Sequence, residues 1–484
     1  MIPFDNEAME LRTEAFFMKK KRLRRVLAGC GLALLLFLVG SLTIPPRLQK
    51  KVSQEFLDAL ALPPKAAGSG ADRVLCIDDN QEALLWRLWT MEAASQELIL
   101  SAYGMNEDDS GLDVMASLLH TAERGVRVRI LVDGLSEFLD LRSSKPFQAL
   151  AASPQVEVRI YNPVSLLKPW RLNYRMHDKY LAADDTVYIL GGRNLKNLSL
   201  GDYQEKKDHD RDVLVYGTEP NAQNSIHQVK NYFESVWSLE STEPFPAPET
   251  PDEAQLELLR QRRRALEETW PELLSQPDWE AITLPTHGIT LLTNPIQAGN
   301  KAPELWATLM RLMAESDAAV VQTPYLICNK VMYQDLAALT AAGKEISIIT
   351  NAVESGANPW GCADYMNQKQ KIRQTGAHLY EYLGDHSAHR KTVLIDDHLS
   401  LVGSFNFDMR SAYLDTELML LIDSPELNQH LWSMAQDNMA QSRHVFPDGS
   451  EVPGEAFQPR EMPWSKQLTY GLIRLLILPF RPLL

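Results

Sequence analysis

Two stretches of the chain spell one pattern. "YRMHDKYLAADDTVYILGGRN" (Tyr174–Asn194) and "SAHRKTVLIDDHLSLVGSFN" (Ser387–Asn406) both read His-x-Lys-x4-Asp-x6-Gly-[Gly/Ser]-x-Asn, about 212 residues apart. Their surroundings repeat too. The strand run "RVLCIDD" precedes a helical stripe (Leu84, Leu88, Met91) with Asn80 as its expected cap. The strand "ELILSAYGM" follows, then a helix that stops at Gly125 and a strand from Val126 to Val132. "GITLLTN", "PELWATLMRLMAES", "DAAVVQTPYLI" and "MYQDLAALTAAGKEISIITNA" restate that order in the second half. Alternating strands and helices predict α/β units on a parallel or mixed sheet. A period of roughly 200 residues predicts two copies of one domain rather than a solenoid.

Each motif predicts a β-hairpin that turns at an Asp-Asp pair (Asp184-Asp185, Asp396-Asp397). Residues i and i+2 of a strand share a face, so His177 points with Lys179 and His389 with Lys391. The return strands bring Asn194 and Asn406 back beside the histidines, and Gly191-Gly192 and Gly403-Ser404 allow close backbone approach. Each half thus offers an imidazole, an ammonium and a carboxamide on one patch. Lys and Asn suit the non-bridging oxygens of a phosphate. A neutral His can attack phosphorus, and a protonated one can donate to the leaving alcohol. Two facing halves supply both states without a metal or cofactor, since the cations are side chains. Each imidazole needs a partner to fix its tautomer. Asp212 in "DRDVLVYG" and Glu417 in "DTELMLLI" are acids embedded in strand-like runs, where an unpaired charge is costly. Asp184 and Asp396, at the turns, are read as orienting Lys and backbone without touching substrate.

The rest of the chain sets the context. Hydrophobic residues make up 45% and charged residues 23%, so sizeable cores are expected. The net charge of −15 argues against a nucleic-acid partner. Val26–Ile44 carries no charge and is long enough to cross a bilayer; "KKKRLRR" precedes it, which predicts an anchor with a cytoplasmic N-terminus and extracytoplasmic bulk. A cleaved signal peptide, a lipoprotein and a buried core helix are the competing readings. The four cysteines form no C-x-x-C; Cys328 and Cys362 are read as buried thiols, with a disulfide as the alternative. The expected order is a basic tail (1–25), anchor (26–46), linker (47–72), first domain (73–240), connector (241–285), second domain (286–445) and apolar tail (446–484). In the connector, Arg260, Arg262, Arg263 and Arg264 read as a solvated face balanced by Glu257, Glu267 and Glu268, or as a lipid contact. The tail reads equally as an interfacial helix or as one packed on the body.

Residues 73–445 resemble the phospholipase D superfamily, whose twin His-Lys-Asp motifs these are. "AERGVRVRILVDG", "DRDVLVYG", "TPYLI" and "GSFNFDMRS" are most similar to its bacterial cardiolipin synthase-like branch. The resemblance implies two α/β/α domains about a pseudo-twofold, a covalent phosphatidyl-histidine and a metal-free site. It implies that each carboxylate serves the opposite half, Glu417 for His177 and Asp212 for His389. It makes His177 the nucleophile and His389 the acid and then base, with the reverse assignment open. Asp415 departs from the pattern, in which Asn is common. The expected activity is transfer of a phosphatidyl group from phosphatidylglycerol to a second phospholipid at a membrane; Arg171, Arg175 and Arg193 are expected to favour anionic headgroups. Phospholipid hydrolysis is the alternative, with a nuclease or a non-catalytic lipid-binding protein as further rivals.

Overall fold

The computed structural model describes residues 6–60, 70–218 and 223–484. Part of the expected linker, 61–69, lies outside them; a 3-10 turn at Pro45–Arg47 joins the expected anchor to the linker, which holds a short helix at Gln54–Ala59.

Two nine-stranded sheets carry the body. In the first, Asp72–Ile77, Asp212–Gly217, Val187–Gly191, Lys179–Ala183, Glu97–Ala102, Arg127–Asp133 and Val156–Tyr161 lie side by side, with Leu284–Pro285 and Thr242–Pro244 at the edges. The second repeats the order with Gly288–Thr293, Leu418–Asp423, Leu399–Gly403, Thr392–Ile395, Ala318–Gln322, Glu345–Asn351 and His378–Tyr382, and is edged on one side by Ser442–Val445 and Glu451–Pro453. Three strands of each sheet run parallel, joined by helices, and the motif hairpin pairs antiparallel to the first of them.

Strand alternation explains how the halves join. Leu98, Leu100 and Ala102 face an outer core under the helices Asn80–Ala93 and Asp109–Glu123, while Ile99 faces inward. In the second sheet Ala319 and Val321 face its own outer core, and Val320 faces inward. The inward residues of both sheets form one shared core: Ile99, Tyr188, Val213 and Val215 with Val320, Leu394, Val402 and Leu420. Both faces of each sheet are therefore buried, which is why the strands read as near-continuous apolar runs. Each fully buried aliphatic in this middle layer contributes about 1.5–3 kcal/mol that neither half keeps alone.

One helix among the described residues is long and apolar enough to cross a membrane, within Met18–Arg47, and none of its apolar window is buried by the protein. A helix apolar on all sides and covered by nothing requires an apolar medium of its own. The connector helix, Glu253–Thr269, packs on Asp109–Glu123. Its arginines meet protein carboxylates: Arg260 meets Glu123, Arg262 meets Asp113, and Arg263 meets Glu92 and Glu267. Cys328 and Cys362 are buried free thiols.

Candidate active site

Both motif hairpins form, and each histidine is held by the opposite half. The His177 amide donates to the Thr416 carbonyl at 3.2 Å, and the His389 amide to the His209 carbonyl at 2.6 Å. Short parallel ladders reinforce the crossing: Ser387–Ala388 pairs with Asp208–His209, and Met176 with Thr416. The residue after each accepting carbonyl is the acid that meets the imidazole. His177 Nδ1 lies 3.0 Å from Glu417 Oε1, and His389 Nδ1 lies 2.6 Å from Asp210 Oδ2. With Nδ1 engaged in both rings, Nε2 is left for chemistry.

Asp210 replaces the expected Asp212. Asp212 is fully buried and bonded to Arg87 at 2.8 Å and Arg193 at 3.1 Å, and so has no part in the histidine pair. The register explains the shift. Gly192 N donates to Arg211 O just as Ser404 N donates to Leu418 O, so Asp210 matches Glu417 and Asp212 matches Met419. Aligning "DRDVLV" on "DTELML" slips by two residues, and two residues on a strand share a face. Arg211, between the two acids, points the other way and ties Asp78 to Gln322 and Thr392 of the second half.

The turn aspartates sit at the far end of the hairpins. Asp184 and Asp396 take left-handed φ angles of 50° and 47°. The Asp184 carboxylate accepts from the amides of Ser95, Gln96 and Glu97, and Asp396 accepts from those of Asp317 and Ala318. They fix the start of the neighbouring strand, as the expected backbone role requires, but contact neither Lys179 nor Lys391, so the third member of each His-Lys-Asp motif is a turn residue and not part of the catalytic group. Arg175 and Arg193 are also corrected. Both are buried, Arg175 on Asp133 and the Asn162 and Arg171 carbonyls, and Arg193 on Asp212 and the Ile77 carbonyl. Neither is free for a headgroup.

Lys179 Nζ donates to the His177 carbonyl at 2.5 Å, and Lys391 Nζ to the His389 carbonyl at 2.5 Å. Asn194 and Asn406 occupy equivalent positions, and in each the buried Oδ1 has no partner among the described residues. Tyr103 stands edge-on to His177 with ring centroids 4.9 Å apart, its face 5.0 Å from Lys179 Nζ, and Tyr325 stands edge-on to His389. The sequence reading missed Tyr103, Tyr325 and Ser411, and gave Ser404 only a backbone role. Both serine hydroxyls donate to Glu417, Ser411 at 2.6 Å. A polar pair inside "GSFNFDMRS" was the available signal for them.

The two carboxylates differ in character. Burial pushes Glu417 up to about 8, against the pull of Lys179 and the two serines. Burial would raise Asp210 as well, but Lys391 and His389 outweigh it and hold its carboxyl far below the usual range. His177 is driven well below the ordinary imidazole value, first by burial and then by Lys179. The charges of Lys391 and His389, from the other half, also act on His177. Burial lowers Lys179 to about 7.

The family described as "Cardiolipin synthase, PLD-like domain" matches residues 88–237 and 309–438, one match over each hairpin. The chain belongs to the phospholipase D superfamily, in its cardiolipin synthase-like branch. It is therefore a phosphatidyltransferase of that family. Cardiolipin synthase C of Escherichia coli K12 is 28% identical over 400 residues, covering 73% of this chain and 82% of that protein. Cardiolipin synthase A of Erwinia tasmaniensis is 23% identical over 392 residues, covering 78% and 71%. The crystal structure of phosphatidylserine synthase from Haemophilus influenzae Rd KW20 superposes with a TM-score of 0.58 at 15% identity over 83% of this chain and 93% of that one, a likeness of fold.

Proposed function

We propose that this phospholipid synthase makes cardiolipin from phosphatidylglycerol and a second phospholipid by way of a phosphatidyl-histidine. One observation carries the division of labour: the electrostatic contrast between the halves. His177 is largely but not fully buried and is kept neutral, as a nucleophile must be, and its partner Glu417 is a weak counter-charge. His389 faces Asp210, a firmly ionised carboxylate that stabilises an imidazolium. His177 Nε2 attacks phosphorus, the bond to the glycerol oxygen breaks, and His389 gives that oxygen its proton. The primary hydroxyl of the second lipid then loses its proton to His389 and attacks phosphorus, and the P–N bond breaks. Lys179, Lys391, Asn194 and Asn406 hold the non-bridging oxygens throughout. The basic run before the anchor favours an N-terminus in the cytoplasm and a catalytic body outside.

Two measurements test this reading. Expression in cells lacking cardiolipin, followed by lipid mass spectrometry, is expected to yield cardiolipin; phosphatidic acid alone would establish hydrolysis instead. A nitrophenyl phosphatidyl ester has a leaving group that needs no proton. His389→Ala is expected to form the adduct from that ester, and His177→Ala is not; the opposite pattern reverses the two roles.

A further inference from the structure

The foot of the anchor helix is clamped to three parts of the body. The Asn173 side chain donates to the Leu42 carbonyl at 3.1 Å. Asn300 donates to the carbonyls of Pro45 at 2.7 Å and Leu48 at 2.8 Å. Arg47 donates to the Pro479 carbonyl at 2.7 Å. Whatever level in the bilayer the end of the anchor occupies, these three sites share it within a few ångströms.

Two of them carry apolar side chains that the protein leaves uncovered. The loop before Asn173 exposes Leu166 and Leu167, each 87% accessible, with Trp170 beside them and Lys168 and Arg171 at the rim of the adjoining groove. The tail helix, Trp464–Leu476, leads to Pro479. One side of it is packed, through Tyr470 and Ile473, onto the helix Pro359–Arg373. The other side exposes Trp464, Leu468, Leu472 and Leu475, a stripe along its full length. The packing alternative for the tail thus holds for one face of the helix, and the other face is left exposed. A stripe of that extent meets an interface only if the helix lies flat, about 20 Å of it.

We propose that the 163–174 loop and the tail helix form a single membrane-docking surface, seated in the headgroup-to-acyl boundary of an anionic bilayer around the foot of the anchor. Trp170 and Trp464 suit the boundary itself, and Lys168 and Arg171 suit anionic headgroups. Arg410 connects this surface to the site. Its guanidinium donates to the carbonyls of Leu483 and Asn173 and pairs with Asp415, whose charge acts on His177.

The full chain carrying Cys30→Ser, with Leu167→Cys, Leu472→Cys or Asp397→Cys added singly, is labelled with nitrobenzoxadiazole and reconstituted in vesicles of equal parts phosphatidylcholine and phosphatidylglycerol. Asp397 is at a hairpin tip, the end away from His389. Labels at 167 and 472 are expected to shift to the blue and to be quenched by doxyl lipid several-fold more than the label at 397. If either is quenched no more than 397, the single surface is refuted. This readout does not depend on the reaction assigned above. Leu468→Glu/Leu472→Glu/Leu475→Glu, which changes only exposed side chains, is expected to lower turnover of vesicle phosphatidylglycerol tenfold or more. Its melting temperature and its rate on dispersed short-chain phosphatidylglycerol are expected to stay unchanged. An unaltered vesicle rate, or an equal loss on both substrates, overturns the proposal.

Discussion

Exchanging Asp210 for Asn is the sharpest test of the site, because Asp212 two residues away provides a matched control. The Asp210 carboxylate is fully buried, 2.6 Å from His389 Nδ1 and 3.2 Å from Lys391 Nζ. Removing one partner from a buried charged pair costs about 3–5 kcal/mol. If that loss falls on the transition state, as it does in the second step when His389 takes the acceptor's proton and the imidazolium forms, kcat drops roughly 10²- to 10⁴-fold. The same change at Asp212 strips the buried Arg87 and Arg193 of their counter-charge. Its cost of about 3–5 kcal/mol falls on folding instead, and the surviving folded enzyme keeps kcat within a few-fold. Glycerol release from phosphatidylglycerol in mixed micelles gives kcat, and thermal unfolding gives stability. Asp210→Asn is also expected to recover most of its first-step rate on a nitrophenyl ester, whose leaving group needs no acid. A slow Asp212→Asn beside a near-normal Asp210→Asn would refute both the register argument and the pairing.

Further expectations concern pH, the turns and the cations. His177 must be neutral to attack, so kcat/KM rises as pH climbs through its depressed pKa. The acid limb is therefore expected below the ordinary imidazole value of about 6.5; a limb at or above that value contradicts the buried, neutral nucleophile. Asp184→Ala is expected to cost about 1–3 kcal/mol of stability, from lost hydrogen bonds and a strained left-handed backbone, with kcat nearly unchanged. The folded pKa of Asp184 is depressed, so the hydrogen-bonded part of that contribution is present above the ordinary carboxylate value and is lost as pH falls through the folded value; the gap in melting temperature between variant and wild type should narrow in acid. Chelators are expected to leave turnover unchanged, because Lys179 and Lys391 supply the positive charge; a clear loss with EDTA would show that they do not suffice.

The duplication, the hairpins and the shared face of each His and Lys were legible because they depend on local spacing, and a strand's period of two makes such spacing unambiguous. That same period hid the identity of the carboxylate. Asp210 and Asp212 lie on one side of one strand, and only long-range partners separate them: Arg87 and Arg193 on one, His389 on the other. Arg175 and Arg193 were misjudged for a related reason. Side by side in sequence with the motif, they look available, yet Asp133 and Asp212, from other strands, bury them. Of the connector arginines, Arg264 and Arg263 meet the expected Glu257 and Glu267 of their own helix, while Arg260 and Arg262 also found acids on a helix far away in the chain, and the tail helix divided its faces between protein and solvent as only tertiary packing can decide.

The exchange of backbone contacts between the halves has a consequence for how such a chain can change over time. Each imidazole takes its amide acceptor and its carboxylate from consecutive residues of the other copy, Thr416-Glu417 for one and His209-Asp210 for the other. Damage to either copy is thus felt by both reactive rings at once, and neither can drift into disuse while its twin carries on. A molecule wired this way can diversify its two repeats everywhere except along that crossing, where they remain obligate custodians of each other.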